Sequence, residues 1–338
     1  GAGYLNSYDP EINKHFSAFY KTKIPMGMGY KIPEMFEAAI EGKLKALWLM
    51  GEDVVQTDPN THKVIAAMEN LEILILQEIF MTETSKYATV ILPGATFLEK
   101  SGTYTNSERR IQRVIKAVEP LAGTKSDGQI LVEIMNKMGY PQADFHPKVM
   151  LEEISKIVPF FAGVKWDELG DNGKQWPVNA NGTDTEILHL DTFDRGKGKF
   201  HYFDFKESQE LVNNRSDYPY IITTNRDLEH YNAGTMTRRT NNVKIRTEDV
   251  LMINPIDAKK NLINDGDMVC IESPRGKIDV KAYITDEVKP GILSTTFHFP
   301  EVMLNIITSD EHDSEAMCPE FKIVAVKIRK SKGQFKDK

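Results

Sequence analysis

Three short apolar runs constrain the fold of this 338-residue chain more than any other feature. Residues 44–50 stop at Gly51, residues 71–76 stop at Gln77, and residues 89–92 stop at Pro93. Each is too short for a helix, and their apolar residues do not alternate cleanly with polar ones. That pattern suits strands buried in a parallel sheet better than strands with one wet face. Between the first two runs, Asp58-Pro59 is predicted to cap a helix reaching about Asn70, because Asp before Pro suits a helix N-terminus. Strand, helix and strand at this spacing predict a parallel sheet with helical crossovers. Further helices are expected from Asp9-Pro10, from near Pro33 to Gly42, over 127–138 and over 147–158.

The character of the sequence changes after that. Gly163, Gly170, Gly173, Gly182, Gly196 and Gly198 fall among Asp and Asn, which predicts a long connection with two short strands at most. From Tyr218 onward the punctuation is that of a β protein. Residues 268–272, a Pro274-Arg275-Gly276 turn, residues 278–284, Pro290-Gly291 and residues 292–299 follow in turn, with only residues 255–262 reading as a helix. The predicted organisation is an α/β domain over 1–163, a connecting segment over 164–215, a barrel or sandwich over 216–330, and a basic tail over 331–338.

Charge and cysteine content narrow the function. A formal net charge of −7 excludes a general nucleic-acid or membrane-surface binder, which needs a positive field over much of its surface. Cys270 and Cys318 are the only cysteines, so the chain builds neither a disulfide framework nor a zinc or iron–sulfur site by itself. A reducing, cytoplasmic setting is expected. The longest apolar stretch, 71–80, contains Glu72, Gln77 and Glu78 and is too short to span a bilayer.

Ligands of open α/β sheets bind at the carboxyl ends of the strands, where loops and helix N-termini present unpaired N–H groups. Gly51, Asp53, Thr57 and Gln77 fall at such ends, and Asp127 precedes or caps a helix. The ordinary alternative is that Asp58 and Asp127 merely cap helices and Gln77 merely ends a strand. Taken together the group reads as a nucleotide site, and a carboxylate matches the adjacent N1–H and N2–H donors of guanine. The second concentration of polar groups is Thr223-Thr-Asn-Arg-Asp-Leu-Glu-His-Tyr-Asn-Ala-Gly-Thr-Met-Thr-Arg-Arg239, delivered by a short strand and rich in anion-binding groups. A solvated surface loop is its ordinary reading.

These stretches carry a resemblance. Gly51-Glu-Asp-Val-Val-Gln-Thr-Asp58, Gln77 to Thr84, Glu99-Lys-Ser-Gly-Thr-Tyr-Thr-Asn-Ser-Glu-Arg-Arg110 and Thr223 to Arg239 closely resemble the catalytic (alpha) subunit of molybdopterin-dependent formate dehydrogenases. Asn254-Pro255, His298-Phe-Pro300, Asn305 and Pro319-Glu-Phe-Lys322 extend the likeness over nearly the whole chain. It implies a partial α/β region followed by a double-psi β-barrel, and a chain that is the C-terminal portion of such a subunit.

It also implies a complete enzyme that oxidises formate to CO2 at molybdenum or tungsten held by two molybdopterin guanine dinucleotides. A 4Fe-4S cluster and the catalytic residues would lie in the N-terminal part, and electron-transfer iron–sulfur subunits would be partners. Carried over by motif, Gly51, Asp53, Thr57, Gln77 and Asp127 would hold one guanine dinucleotide. Arg226, Asp227, His230, Asn232, Thr235, Asn305 and Lys322 would contact pterins and phosphates. No residue of the chain is expected to ligate the metal or perform the chemistry, so the chain alone is expected to be inactive. Phe297 and Phe321 stand where relatives often have Tyr, and Gly128 where a bulky aromatic is frequent. Arg109 and Arg110 divide between phosphate ligands and surface pairing. The alternatives are another molybdopterin oxidoreductase such as a nitrate reductase, and a cofactor-free structural relative in a respiratory complex.

Overall fold

A computed structural model describes residues 2–193 and 195–331. In chain order the first elements are α1 (Pro10–Tyr20), α2 (Ile32–Ile40), β1 (Ala46–Met50), α3 (Val54–Thr57), α4 (Thr61–Asn70), β2 (Ile73–Glu78) and β3 (Val90–Pro93). Then come β4 (Gly102–Thr105), β5 (Arg110–Val114), α5 (Asp127–Lys137), α6 (Pro147–Ile157), β6 (Lys174–Gln175) and α7 (Gln209–Asn214). The remainder is β7 (Tyr220–Thr224), β8 (Val250–Ile253), α8 (Pro255–Lys260), β9 (Met268–Glu272), β10 (Lys277–Ile284), β11 (Ile292–Thr295) and β12 (Val324–Lys330). Two compact units result, one of residues 1–29 and 92–202, the other of residues 30–91 and 203–338. The expected basic tail lies outside the described residues apart from Ser331.

The predicted parallel strands form a sheet in the order β1–β2–β3, with β1 and β2 parallel and Met50 opposite Gln77. Leu74, Leu76 and Gln77 of β2 are fully buried, and Phe36, Val54, Val55, Val64 and Met68 pack into the same core from the helices. The helix after Asp58-Pro59 begins later than predicted. Asn60, in a left-handed conformation, caps α4, while Asp58 closes the short α3 and accepts a hydrogen bond from the Thr57 hydroxyl at 3.1 Å.

β7 to β12 close into a barrel in the order β10–β8–β11–β7–β12–β9, with β10 also pairing β9. The ladders are mixed: β10–β8 and β11–β7 are parallel, and the others antiparallel. Alternation aims Ile278, Val280 and Ala282 of β10 inward against Leu251, Ile271, Leu293 and Val326, and this forms the barrel core. α7 is fastened to the barrel by a buried ion pair. Arg275 bonds Glu210 through both guanidinium nitrogens, at 2.6 and 3.0 Å, and Glu210 also accepts the Ala325 N–H at 3.0 Å.

In the first unit, β4 and β5 form a hairpin and β6 adds to it. Ile111, Leu151, Val164, Leu169 and Val178 make its core. Among the described residues, no helix is long and apolar enough to cross a membrane.

Candidate functional site

The carboxyl edge of the parallel sheet gathers Gly51, Asp53, Thr57 and Gln77 in the second unit. Gly51 turns the chain with a φ of 66°, has open space where a Cβ would stand, and donates its N–H to the Gln77 carbonyl at 2.9 Å. A residue with a side chain would be strained there. Asp53 is buried and turned into the protein. Its Oδ1 accepts the Thr84 N–H at 2.8 Å and the Thr84 hydroxyl at 2.7 Å, while Oδ2 accepts the Glu83 N–H at 3.3 Å. Asp53 therefore ties the loop after β1 to the loop after β2. The Thr57 hydroxyl donates to the Asp53 carbonyl at 3.1 Å. Burial pushes Asp58 up to about 6, an effect the Thr57 hydroxyl opposes and the nearby Glu52 charge reinforces.

The loop after β7 is shaped from beneath by His298, which is fully buried. Its Nε2 accepts the Asp227 N–H at 3.0 Å, so the proton belongs on Nδ1, which donates to the Asn232 carbonyl at 2.5 Å. His298 is held in turn by Asp249, whose carboxylate accepts the His298 N–H at 3.1 Å, the Phe299 N–H at 3.0 Å and the Thr296 hydroxyl. Burial raises the Asp249 carboxyl above its usual range despite those bonds. His230 is spent within the chain as well, donating from Nε2 to the Arg246 carbonyl at 2.9 Å and accepting the Thr237 hydroxyl on Nδ1 at 3.0 Å. Asp227 faces Arg246 at 3.5 Å. Asn232 adopts the left-handed region at φ 48°, and Gly234 does so at φ 69°. A Cβ on Gly234 would stand 2.7 Å from the His298 carbonyl oxygen.

One side chain joins sheet edge and barrel loops. Gln56 donates from Nε2 to the Ala233 carbonyl at 3.0 Å and the Phe297 carbonyl at 3.3 Å, and its main-chain carbonyl accepts Asn305 Nδ2 at 2.7 Å. Asn305, named from the sequence as a ligand contact, is buried in this junction and accepts the Thr308 hydroxyl at 3.0 Å. Neither Gln56 nor His298 was singled out as a site residue from the sequence. The only available signal was their position inside the quoted motifs.

The loop's outward groups differ from these. The exposed Arg226 has its guanidinium 5.6 Å from the centre of the Phe297 ring. Lys322 donates to the Thr224 carbonyl, and its ammonium is pushed below the ordinary lysine range by burial first and by Arg226 second. Among the described residues neither cation forms an ion pair. Orphaned buried polar atoms lie in the same loop and its neighbours: Asn225 Oδ1, Arg238 Nε and Gln56 Oε1 have no hydrogen-bond partner. Uncompensated cations beside orphaned polar atoms fit an anionic, hydrogen-bonding ligand such as a pterin dinucleotide.

Asp127 belongs to the first unit. It occupies the first turn of α5, whose Ser126 N–H and hydroxyl both bond to Gln129 at 3.0 and 2.9 Å, so Asp127 is not the cap. Its carboxylate pairs with Lys100 on the wall of a cavity of about 350 Å³ lined also by Tyr104, Gly128 and Phe145. A Cβ on Gly128 would lie 2.2 Å from the Phe145 ring, so Phe145 fills the space that an aromatic at 128 would take. Arg109 is committed elsewhere in this unit, to the carbonyls of Trp176, Thr185 and Glu186. Arg110 pairs with Glu108.

A parallel sheet whose strand ends face a closed mixed barrel with an anion-ready loop defines a class: proteins that hold a phosphate-bearing cofactor against both. Comparison with known proteins makes that class specific. Residues 8–137 match the Molybdopterin oxidoreductase family and residues 220–325 the Molydopterin dinucleotide binding domain. The F420-dependent formate dehydrogenase subunit alpha of Methanocaldococcus jannaschii is 40% identical over 324 residues, 94% of this chain and 48% of that protein. The F420-dependent formate dehydrogenase 1 subunit alpha of Methanococcus maripaludis is 36% identical over 95% of this chain and 48% of its own length. Acetylene hydratase from Pelobacter acetylenicus shares the fold, with a TM-score of 0.68 at 16% identity, over 97% of this chain and 50% of that one. The chain belongs to the molybdopterin oxidoreductases. It spans about half the length of the relatives it matches.

Proposed function

We propose that this chain is the cofactor-binding part of a formate dehydrogenase alpha subunit and holds molybdopterin guanine dinucleotide. The observation that carries this reading is the pair Arg226 and Lys322: burial and then the Arg226 charge push the Lys322 ammonium below its usual range, and among the described residues neither cation has a carboxylate partner. They would neutralise phosphates, each charge-assisted bond contributing about 1.5–3 kcal/mol. Asn232 and Thr235, on the same loop, would serve pterin ring atoms. Asp53, Thr57, His230 and Asn305 have their polar atoms engaged inside the chain, so they would shape the site rather than touch the ligand. Gly51 and Gln77 would let the dinucleotide approach the sheet edge. Asp127, within the first unit, is proposed as a guanine contact by motif and would have to leave Lys100 to serve as one.

When bound, the group supplies two-electron chemistry at molybdenum or tungsten held by its own dithiolene sulfurs. This chain's residues bind and orient it; Cys270 is buried in β9 and is unsuited to meet a metal. We expect the chain alone not to oxidise formate. A 4Fe-4S cluster, the residues acting on formate, iron–sulfur electron-transfer partners and a cytoplasmic setting belong to the complete enzyme in this proposal.

The test is to produce the chain in a host that makes the dinucleotide and to quantify GMP released by acid hydrolysis. Bound GMP, reduced by Arg226→Met and by Lys322→Met, is the expected result. A chain that releases none would end the proposal.

A further inference from the structure

The cation most poorly served by the protein is neither of that pair. Arg238 is half-buried, its Nε is completely enclosed, and that Nε has no hydrogen-bond partner. Its guanidinium lies 5.9 Å from the centre of the Phe299 ring and forms no ion pair among the described residues. Burial pushes it below the usual arginine range. A guanidinium left in this state is costly, because desolvated donors normally find acceptors.

The carboxylates around it do not serve. Asp53 and Asp249 act on Arg238 through space, but Asp53 is turned to Thr84 and Glu83, and Asp249 to Thr296, His298 and Phe299. Glu301 is exposed and also acts without pairing. Space for the arginine is nevertheless built in. A Cβ on Gly234 would come within 3.0 Å of Arg238 Cγ and 3.1 Å of Nε, so a residue without a side chain stands where the arginine passes. Arg239, its neighbour, is accounted for: its guanidinium lies 4.4 Å from the centre of the Phe80 ring and donates to the carbonyls of Thr235 and Met81. Arg238 is different, being positioned and unspent.

We infer that Arg238 is a further anion-binding residue of the dinucleotide site, one that takes a phosphate oxygen of the ligand through its guanidinium. The inference rests on the proposed function. A planar guanidinium held beside an aromatic ring presents its N–H groups in one plane, which suits bidentate phosphate recognition.

Arg238→Met keeps an unbranched side chain and removes the charge, while Arg238→Lys keeps the charge without the planar fork. Produced in the dinucleotide-making host, Arg238→Met should retain about tenfold less GMP per chain, the equivalent of one lost charge-assisted bond. Arg238→Lys, which keeps the charge but not the planar fork, should retain GMP at a level between Arg238→Met and the unaltered chain, and thermal melting should show both variants folded. If Arg238→Met holds as much GMP as the unaltered chain, the arginine only packs on Phe299 and the inference fails while the proposed function stands. If the unaltered chain holds no GMP, the proposed function fails and the inference with it. Should Arg238→Met unfold, Arg238→Lys decides: a folded lysine variant that keeps more GMP than Arg226→Met supports the inference, and one that loses GMP as severely as Arg226→Met overturns the role of charge at 238.

Discussion

Replacing Asp53 by Asn changes one oxygen for an NH2 and leaves the volume alone, which makes it a clean probe of the join between the loops after β1 and β2. Oδ1 would keep the Thr84 N–H and hydroxyl, at 2.8 and 2.7 Å, but as a neutral acceptor. The new amide would point a donor at the Glu83 N–H, which Oδ2 accepts at 3.3 Å. Bonds to a charged acceptor contribute about 1.5–3 kcal/mol and neutral ones about 0.5–1.5 kcal/mol. Weakening two bonds and losing a third long one gives a local cost of about 3 kcal/mol. Because Thr84 Oγ1 also accepts the Val55 N–H at 3.1 Å, the first turn of α3 shares that cost. Amide hydrogen exchange read residue by residue is the suitable assay, since it reports local opening without requiring two-state unfolding of a chain with two units. The Thr84 and Val55 amides should exchange about a hundredfold faster in Asp53→Asn, with barrel amides unchanged. Unaltered exchange at Thr84 would refute the view that the carboxylate is spent internally.

Two other outcomes are expected. Asp58 has its folded-state pKa raised from 3.8 to about 6, so its cost is absent at acid pH and develops as the pH climbs through that interval. Asp58→Asn should therefore stabilise the chain by about 1–3 kcal/mol at pH 7.5 and have little effect near pH 4, as thermal melts of both proteins across pH would show. Glu210→Ala leaves Arg275 buried without its partner and should cost about 3–5 kcal/mol in urea unfolding, only part of it recovered by pairing it with Arg275→Met, because the Ala325 N–H stays unpaired.

Much of this architecture was readable because its strands announce themselves. The runs at 44–50, 71–76 and 89–92 lie on β1, β2 and β3, and residues 268–272 coincide with β9. Two barrel strands were not read as strands. β8 is only four residues long, and β12 carries Lys327 and Arg329 on its outer face and ends at the exposed Lys330, so hydrophobicity alone understates it. The hairpin of β4 and β5 was read as motif rather than structure, since Thr and Arg predominate in it. At the site, residue type identified the polar loop, whereas the direction in which each side chain faces is tertiary information. His230 and Arg226 sit four residues apart in one loop, yet the first bonds to Arg246 and Thr237 and the second lies at the surface. Caps failed for a related reason, because Asn60 outcompetes Asp58 for α4 once Asp58 is engaged by Thr57.

Gln56 has a consequence for anyone exchanging parts among these proteins. It grips main-chain carbonyls at Ala233 and Phe297, so the two bonds themselves call for no particular side chain there. A barrel excised at residue 216 would lose that grip along with the Gln56 carbonyl that receives Asn305, exposing three buried polar groups at once. The portable cassette is therefore discontinuous: residues 30–91 must travel with the barrel, and a chimera that swaps one without the other inherits an unsealed seam.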